Sequence, residues 1–217
     1  MTNVYDLAAG LPSIEVLRQR VQALAVLDRI IGGDFPYYAY TGWGQDEAGL
    51  MSDGSGNEWA IVFSADGAFI RVFDHESPMS PYRDADRELW PGLLDGLPAL
   101  FAAQLDEPAF ADEEGGFLAT AVLWRHGTDD RWHAGTGIDF PGPDGSELLA
   151  ILLDDIADRY VAFAEDYYET AIDRSAVAHV VAHQPLTEAV VRSLDSRASF
   201  AELRDDVAAL GYPVAAG

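Results

Sequence analysis

From Ser13 to Ile31, apolar residues recur at three- and four-residue spacing: Ile14, Leu17, Val21, Leu24, Leu27 and Ile31. That rhythm predicts one helix with a single face turned inward. Arg18, Arg20 and Asp28 fall largely off the stripe. Ser13 stands where an N-cap belongs, and Gly32-Gly33 supplies the stop.

The period then changes. Four segments, 37–41, 48–52, 58–64 and 68–74, read as strands separated by Gly-rich or polar breaks, among them Asp53-Gly54-Ser55-Gly56-Asn57 and Ala65-Asp66-Gly67. In the third, Trp59, Ile61 and Phe63 share one face while Ala60 and Val62 share the other. In the fourth, Phe69 and Phe73 flank Arg71, opposite Ile70 and Val72. Apolar residues on both faces predict a sheet covered on both sides near its middle.

From Ser77 to Gly116, Pro and Gly punctuation predicts short helices around 88–94 and 97–105, followed by an acidic knot. The stretches 117–126 and 131–135 read as a further hairpin turning at 127–130. A long helix is predicted from Ser146 to Thr170, striped by Leu149, Leu152, Ile156, Tyr160, Phe163 and Tyr167, with Asp144 and Glu147 spaced as in a capping box. Three shorter helices, 175–183, 187–194 and 199–210, follow. Ser199 and Glu202 open the last, and Gly211 with Pro213 closes it.

The pattern describes an α+β chain: an antiparallel meander sheet packed by the first helix and the long helix, with a small C-terminal helical segment. There is no repeat and no low-complexity linker. The boundary falls near Asp173, with an α+β domain over 1–172 and a helical appendage over 173–217 packed on the same domain.

Charge changes the picture more than composition does. The chain has no lysine; its 13 basic residues are arginines against 37 Asp and Glu, a formal net charge of −24 over 217 residues. Such a field repels phosphate backbones and anionic lipid, and attracts basic partners. No basic stripe offers counterion release, which argues against nucleic-acid binding. With 49% hydrophobic and 11% aromatic residues the chain has ample core material, so the acid belongs to the surface. Codon bias in a GC-rich genome and adaptation to high salt are two further origins for the same composition. Cysteine is absent, which removes disulfides and thiolate sites and fits a reducing compartment. The amino end shows neither a basic flank nor a long apolar run, so a cytoplasmic protein without a membrane segment is expected.

Candidate chemistry is sparse, and no cofactor is expected. His179 and His183, four apart on a helix, would share a face and form half of a metal site, though the Glu of the metalloprotease motif is missing. Asp74, His75 and Glu76, with Ser77 and Ser80 nearby, place acids, a base and hydroxyls close in sequence only. An enzyme built on these would be a metal-dependent or acid/base hydrolase using His179, His183 and an acidic cleft. The loop 42–47 and the tip 53–58 gather oxygens near one end of the meander, where turn chemistry explains them more simply than calcium. As interface candidates the sequence offers Trp43, Asp46, Glu47, Asp53 and the knot Asp106, Glu107, Asp112, Glu113 and Glu114, acids beside aromatics.

The stretches 160–169 (YVAFAEDYYE), 185–188 (PLTE) and 203–213 (LRDDVAALGYP) resemble an uncharacterised bacterial protein family over the last third of the chain. That resemblance implies no activity and no catalytic residues. A small acidic α+β chain with an aromatic, Gly-rich meander is also loosely similar to the immunity proteins that neutralise secreted bacterial toxins. The expectation is a noncatalytic acidic protein, immunity-like, engaging a basic protein partner. A housekeeping module whose charge only reflects genome or habitat is the alternative.

Overall fold

The computed structural model describes residues 2–32 and 36–215; Gly33 of the expected helix stop lies outside the described residues. Six strands form one antiparallel sheet in meander order: β1 (Tyr38–Trp43), β2 (Asp46–Ser52), β3 (Glu58–Phe63), β4 (Gly67–Phe73), β5 (Ala121–His126) and β6 (His133–Ala134). With α1 (Val4–Gly10), α2 (Ile14–Ile31), α3 (Ile156–Tyr167), α4 (Arg174–Val181), α5 (Glu188–Leu194) and α6 (Phe200–Ala209), the fold is α+β. The chain divides into two compact units, Met1–Ile14 with Gly42–Ala150, and Glu15–Thr41 with Ile151–Gly217. Both are discontinuous in sequence. The division therefore differs from a boundary at Asp173, because the first long helix groups with the C-terminal helices.

In the first unit, registers such as Ala48↔Val62, Ala60↔Arg71 and Arg71↔Val122 put Ala48, Ala60, Val62, Phe69, Val122 and Trp124 on one sheet face. Phe101 and Phe110 join them in one core cluster. Both lie in the segment between β4 and β5, which turns through short 3-10 helices at Pro81–Arg83, Ala99–Asp106 and Pro108–Phe110 and roofs that face. All seven positions of β4 are buried, as expected for a strand covered on both sides. β5 starts four residues later than the expected 117, since Phe117 instead bridges Ala111 in the roof.

α1 was not anticipated, although its signal is present: Asn3 and Asp6 form a complete capping box. It buries Val4 and Leu7 and packs against β5 and β6. The fully buried Asp144 fastens it by accepting the Val4 N–H at 2.7 Å on one carboxylate oxygen and the Ser146 N–H and hydroxyl on the other. Asp144 is thus a tie to the N-terminus and not the opening of a long helix.

The expected helix over 146–170 is broken. A 3-10 helix covers Ser146–Leu152, Asp155 turns left-handed at φ 65°, and α3 begins at Ile156. Arg20 explains the break. Its guanidinium donates to the Leu152 carbonyl at 2.6 Å, the acceptor that the Ile156 N–H would need, and pairs with Asp154 at 2.9 Å. The apolar stripe persists because three-residue spacing keeps one face in a 3-10 helix as well. α4, α5 and α6 form as expected: Asp173, Thr187 and Ser199 cap them, and the Ser199 hydroxyl accepts the Glu202 N–H.

Asp28 is the main departure on α2. It lies on the buried stripe, one helical turn after Leu24, and is fully buried. One carboxylate oxygen accepts the N–H groups of Tyr37 and Tyr38 at 2.6 and 2.8 Å, and the other accepts the Tyr160 hydroxyl at 2.8 Å. Burial raises its pKa above the ordinary carboxyl value, with these donors opposing the rise. Phe163 packs against Tyr37, Tyr38, Tyr160, Tyr167 and Tyr168, so aromatic rings close over the acid. The Tyr168 hydroxyl is also turned toward this carboxyl, yet its buried oxygen makes no hydrogen bond among the described residues. Burial, the Asp28 charge and the hydrogen bond to it push the Tyr160 pKa upward, whereas the same hydrogen bond pulls the Asp28 pKa down against burial.

Candidate partner-binding surface

Two turns of the first unit carry a concentration of exposed acid. After the Ser80-capped turn at Pro81–Arg83, residues 84–88 are exposed throughout and include Asp84, Asp86 and Glu88. The second turn, 112–116, carries Asp112, Glu113 and Glu114. Together 82–88 and 112–116 hold six carboxylates and two arginines.

Both arginines are spent on organising the turns. Arg83 donates to the carbonyls of Ser80 and Glu88 and lies over the Trp90 ring, 5.0 Å from its centroid, which staples the first turn closed. Arg87 adopts a left-handed φ of 50°, unusual outside glycine, and joins the turns through Asp112 at 3.1 Å while lying 5.2 Å over the Tyr82 ring. Asp112 in turn builds the second turn. Its Oδ1 accepts the N–H groups of Gly116 and Glu114 at 2.8 and 2.9 Å, and its side chain is 4% exposed. The Gly116 N–H, with the Arg87 hydrogen bond, holds its carboxyl below the usual range, and Asp112 raises the Arg87 pKa. Tyr82, 47% exposed, stands on Phe73 edge-on at 5.7 Å. An aromatic ring is therefore fixed at the edge of a pre-shaped acidic surface.

The residues singled out from sequence distribute unevenly. Glu113 and Glu114 lie exposed on this surface, and Asp112 lies under it. Trp43 is a half-buried plug: its ring stacks on Phe110 at 5.5 Å and 14°, against the core cluster. Asp46 and Glu47 start β2 half-buried. Asp106 is exposed at the end of its 3-10 helix, whereas Glu107 caps the next one through the Ala109 N–H. Asp53 organises the β2–β3 turn, accepting from Ser55 and from the backbone and side chain of Asn57. Burial acts to raise its pKa, but these bonds outweigh it and lower it. Loops 42–47 and 53–58 do not gather at one end of the meander, because consecutive turns of an antiparallel sheet alternate ends. The contribution of 82–90 was overlooked; its signal was Tyr82 leading a dense charged run.

His179 and His183 take separate partners. α4 ends at Val181, and His183 follows in the left-handed region, φ 54°. Nε2 of His179 bonds the Pro185 carbonyl at 3.0 Å, and Nε2 of His183 bonds Gln22 Oε1 at 3.2 Å while its ring packs on Tyr212. Among the described residues no group of three or more His, Cys, Asp or Glu is arranged to hold a metal ion. His75 bonds Asn57 across the turn, and Asp74 Oδ1 accepts the Glu76 N–H. Ser77 donates to the Pro143 carbonyl and Ser80 caps its turn, so the hydroxyls serve the backbone.

Burial lowers the His183 pKa, which makes a pH prediction. The folded state prefers the neutral ring, so this contribution to stability is complete above the unfolded value near 6.5 and is lost as pH falls through the lower folded value. NMR titration of the five histidines should find His183 protonating below the ordinary value. In His183→Gln the fall in stability between pH 7 and 5 should be shallower.

Among the described residues no helix is long and apolar enough to cross a membrane. No protein family, characterised protein or solved structure matches this chain.

Proposed function

We propose that the protein is a noncatalytic binding module that engages a basic protein partner through the surface of turns 82–88 and 112–116, with toxin neutralisation of the immunity type as its concrete form. The observation that carries this reading is the Arg87–Asp112 pair, which draws two acidic turns into one surface beside the exposed Tyr82 ring. Carboxylates held on pre-formed turns need no ordering when a partner arrives, and their field speeds the encounter with a basic protein. An exposed aromatic ring among them supplies the apolar contact that charge alone lacks. The overall charge of −24 strengthens attraction over the whole molecule, and the turns supply its focus.

The test uses a short fluorescent peptide alternating Arg and Ser, with anisotropy read at about 0.15 M salt, where distant charges are screened. Neutralising Asp84, Asp86, Glu88 and Glu113 to their amides should abolish most binding. Neutralising Glu147, Asp155, Asp166 and Glu169, all exposed elsewhere, should reduce it only slightly. Equal losses in the two sets would overturn the assignment and leave only diffuse attraction.

A further inference from the structure

We propose that the Tyr82–Asp112 pair is a receptor for a guanidinium group, occupied in the free protein by the chain's own Arg87 and offered to an arginine of the basic partner when Arg87 is displaced. The proposal rests on the partner-binding reading above and names the partner side chain that this surface selects. The seat is visible because it is filled. The Arg87 guanidinium lies 5.2 Å over the Tyr82 ring while bonding Oδ2 of Asp112 at 3.1 Å. Oδ1 of the same carboxylate is committed to the N–H groups of Gly116 and Glu114. That division leaves one oxygen, nearly covered and fixed in direction, for a planar donor. Phe73 fixes the ring from below. A ring face with a carboxylate at its edge suits arginine better than lysine, because the guanidinium stacks flat and donates in plane at once.

Arg87 is a poor permanent tenant. Its side chain is 40% exposed and its backbone sits in the left-handed region at φ 50°. A non-glycine residue there carries strain that release would relieve. The pair is open to water on the arginine side, where solvent and salt screen it. Asp84, Asp86 and Glu88 are chain neighbours of Arg87, and Glu113 and Glu114 follow Asp112; all five are exposed, and their charge raises the local concentration of any incoming cation. Displacement keeps one guanidinium in the seat throughout, so Asp112 is never left without a cation. The freed Arg87 side chain moves into water.

The experiment compares two fluorescent peptides of equal length and charge, one with arginine and one with lysine at every basic position. They are titrated into the full-length protein at about 0.15 M salt. Arg87→Ala should tighten the arginine peptide by roughly two- to fivefold, the scale of an exposed cation–π contact. That gain is measured relative to Arg192→Ala, which removes the same charge from α5. The lysine peptide should show no gain beyond that control. Tyr82→Ala, a change at an exposed ring, should erase the preference for arginine. If Arg87→Ala tightens both peptides equally, or neither beyond the control, the seat is overturned while the acidic surface stands. If neither peptide binds wild type or Arg87→Ala, both readings fall. Binding of the arginine peptide only after Arg87→Ala would support the seat in its most occluded form.

Discussion

Asp28→Ala should lower the unfolding free energy by about 4 kcal/mol, the sum expected when two backbone N–H groups and one tyrosine hydroxyl lose a buried acceptor. The Tyr37 and Tyr38 amides and the Tyr160 hydroxyl converge on this one carboxylate, and rings packed around Phe163 keep water out. Asp28→Asn should cost only about 1 kcal/mol, since an amide oxygen still accepts both N–H groups and the Tyr160 hydroxyl can rotate to accept from the amide nitrogen. The pair also carries a pH signature. The folded pKa of Asp28 is raised, so the folded state binds its proton more readily than the unfolded chain. That contribution is complete below the ordinary value near 4 and declines as pH rises through the higher folded value. Denaturant unfolding followed by tryptophan fluorescence at several pH values should show this decline in wild type and not in Asp28→Asn. An Asp28→Ala midpoint close to wild type would mean the carboxylate holds nothing together.

Arg71→Ala is expected to be comparably severe, about 3 to 5 kcal/mol. Arg71 is 1% exposed in the middle strand β4, where Nε donates to the Leu118 carbonyl at 2.5 Å and Nη1 pairs with Glu58 at 3.1 Å. The rings of Phe73 and Phe110 flank the guanidinium at 5.4 Å each, and Nη2 has no partner among the described residues. Burial lowers its pKa, with Glu58 opposing. Truncation empties that volume, orphans the Leu118 carbonyl and unseats Phe110, on which Trp43 stacks. Arg71→Met should lose far less, about 1 kcal/mol, because it refills the space and removes a desolvated charge with one unmet donor, while Glu58, 40% exposed on its side chain, returns to water. Equal losses for Met and Ala would show that the charge itself, and not the volume, secures the roof.

Much of the architecture was legible because it depends on short-range rules. Alternation in 58–63 and 68–73 identified β3 and β4, and the Gly-rich breaks fixed their turns. The three short helices α4, α5 and α6 fell within a residue or two of their expected bounds, and Ser199 marked the start of the last. The long helix failed because its interruption comes from Arg20, more than a hundred residues away, which takes the Leu152 carbonyl. Asp28 was misread for a similar reason. Its polarity argued for solvent, while the helical phase, one turn beyond Leu24, argued for the core, and only the amides of Tyr37 and Tyr38 make burial tolerable.

The surface candidates divide along the same line. Acidity and the exposure of Glu113 and Glu114 follow from composition, since a chain with this many carboxylates must display most of them. Which acids stand together does not. Asp53, Glu107 and Asp112 look alike in sequence, yet each is drawn into a different turn by neighbouring N–H groups.

By itself the sequence determined the α+β class, the meander and the anionic character, because period, turn residues and charge act over a few neighbours or over the whole chain at once. Tertiary structure alone decided that Trp43 fills a roof, that Arg20 and Asp28 settle how the helices run, and that 82–88 meets 112–116. Those outcomes depend on single hydrogen bonds and ring contacts between residues far apart in the chain, and no local pattern encodes such a meeting.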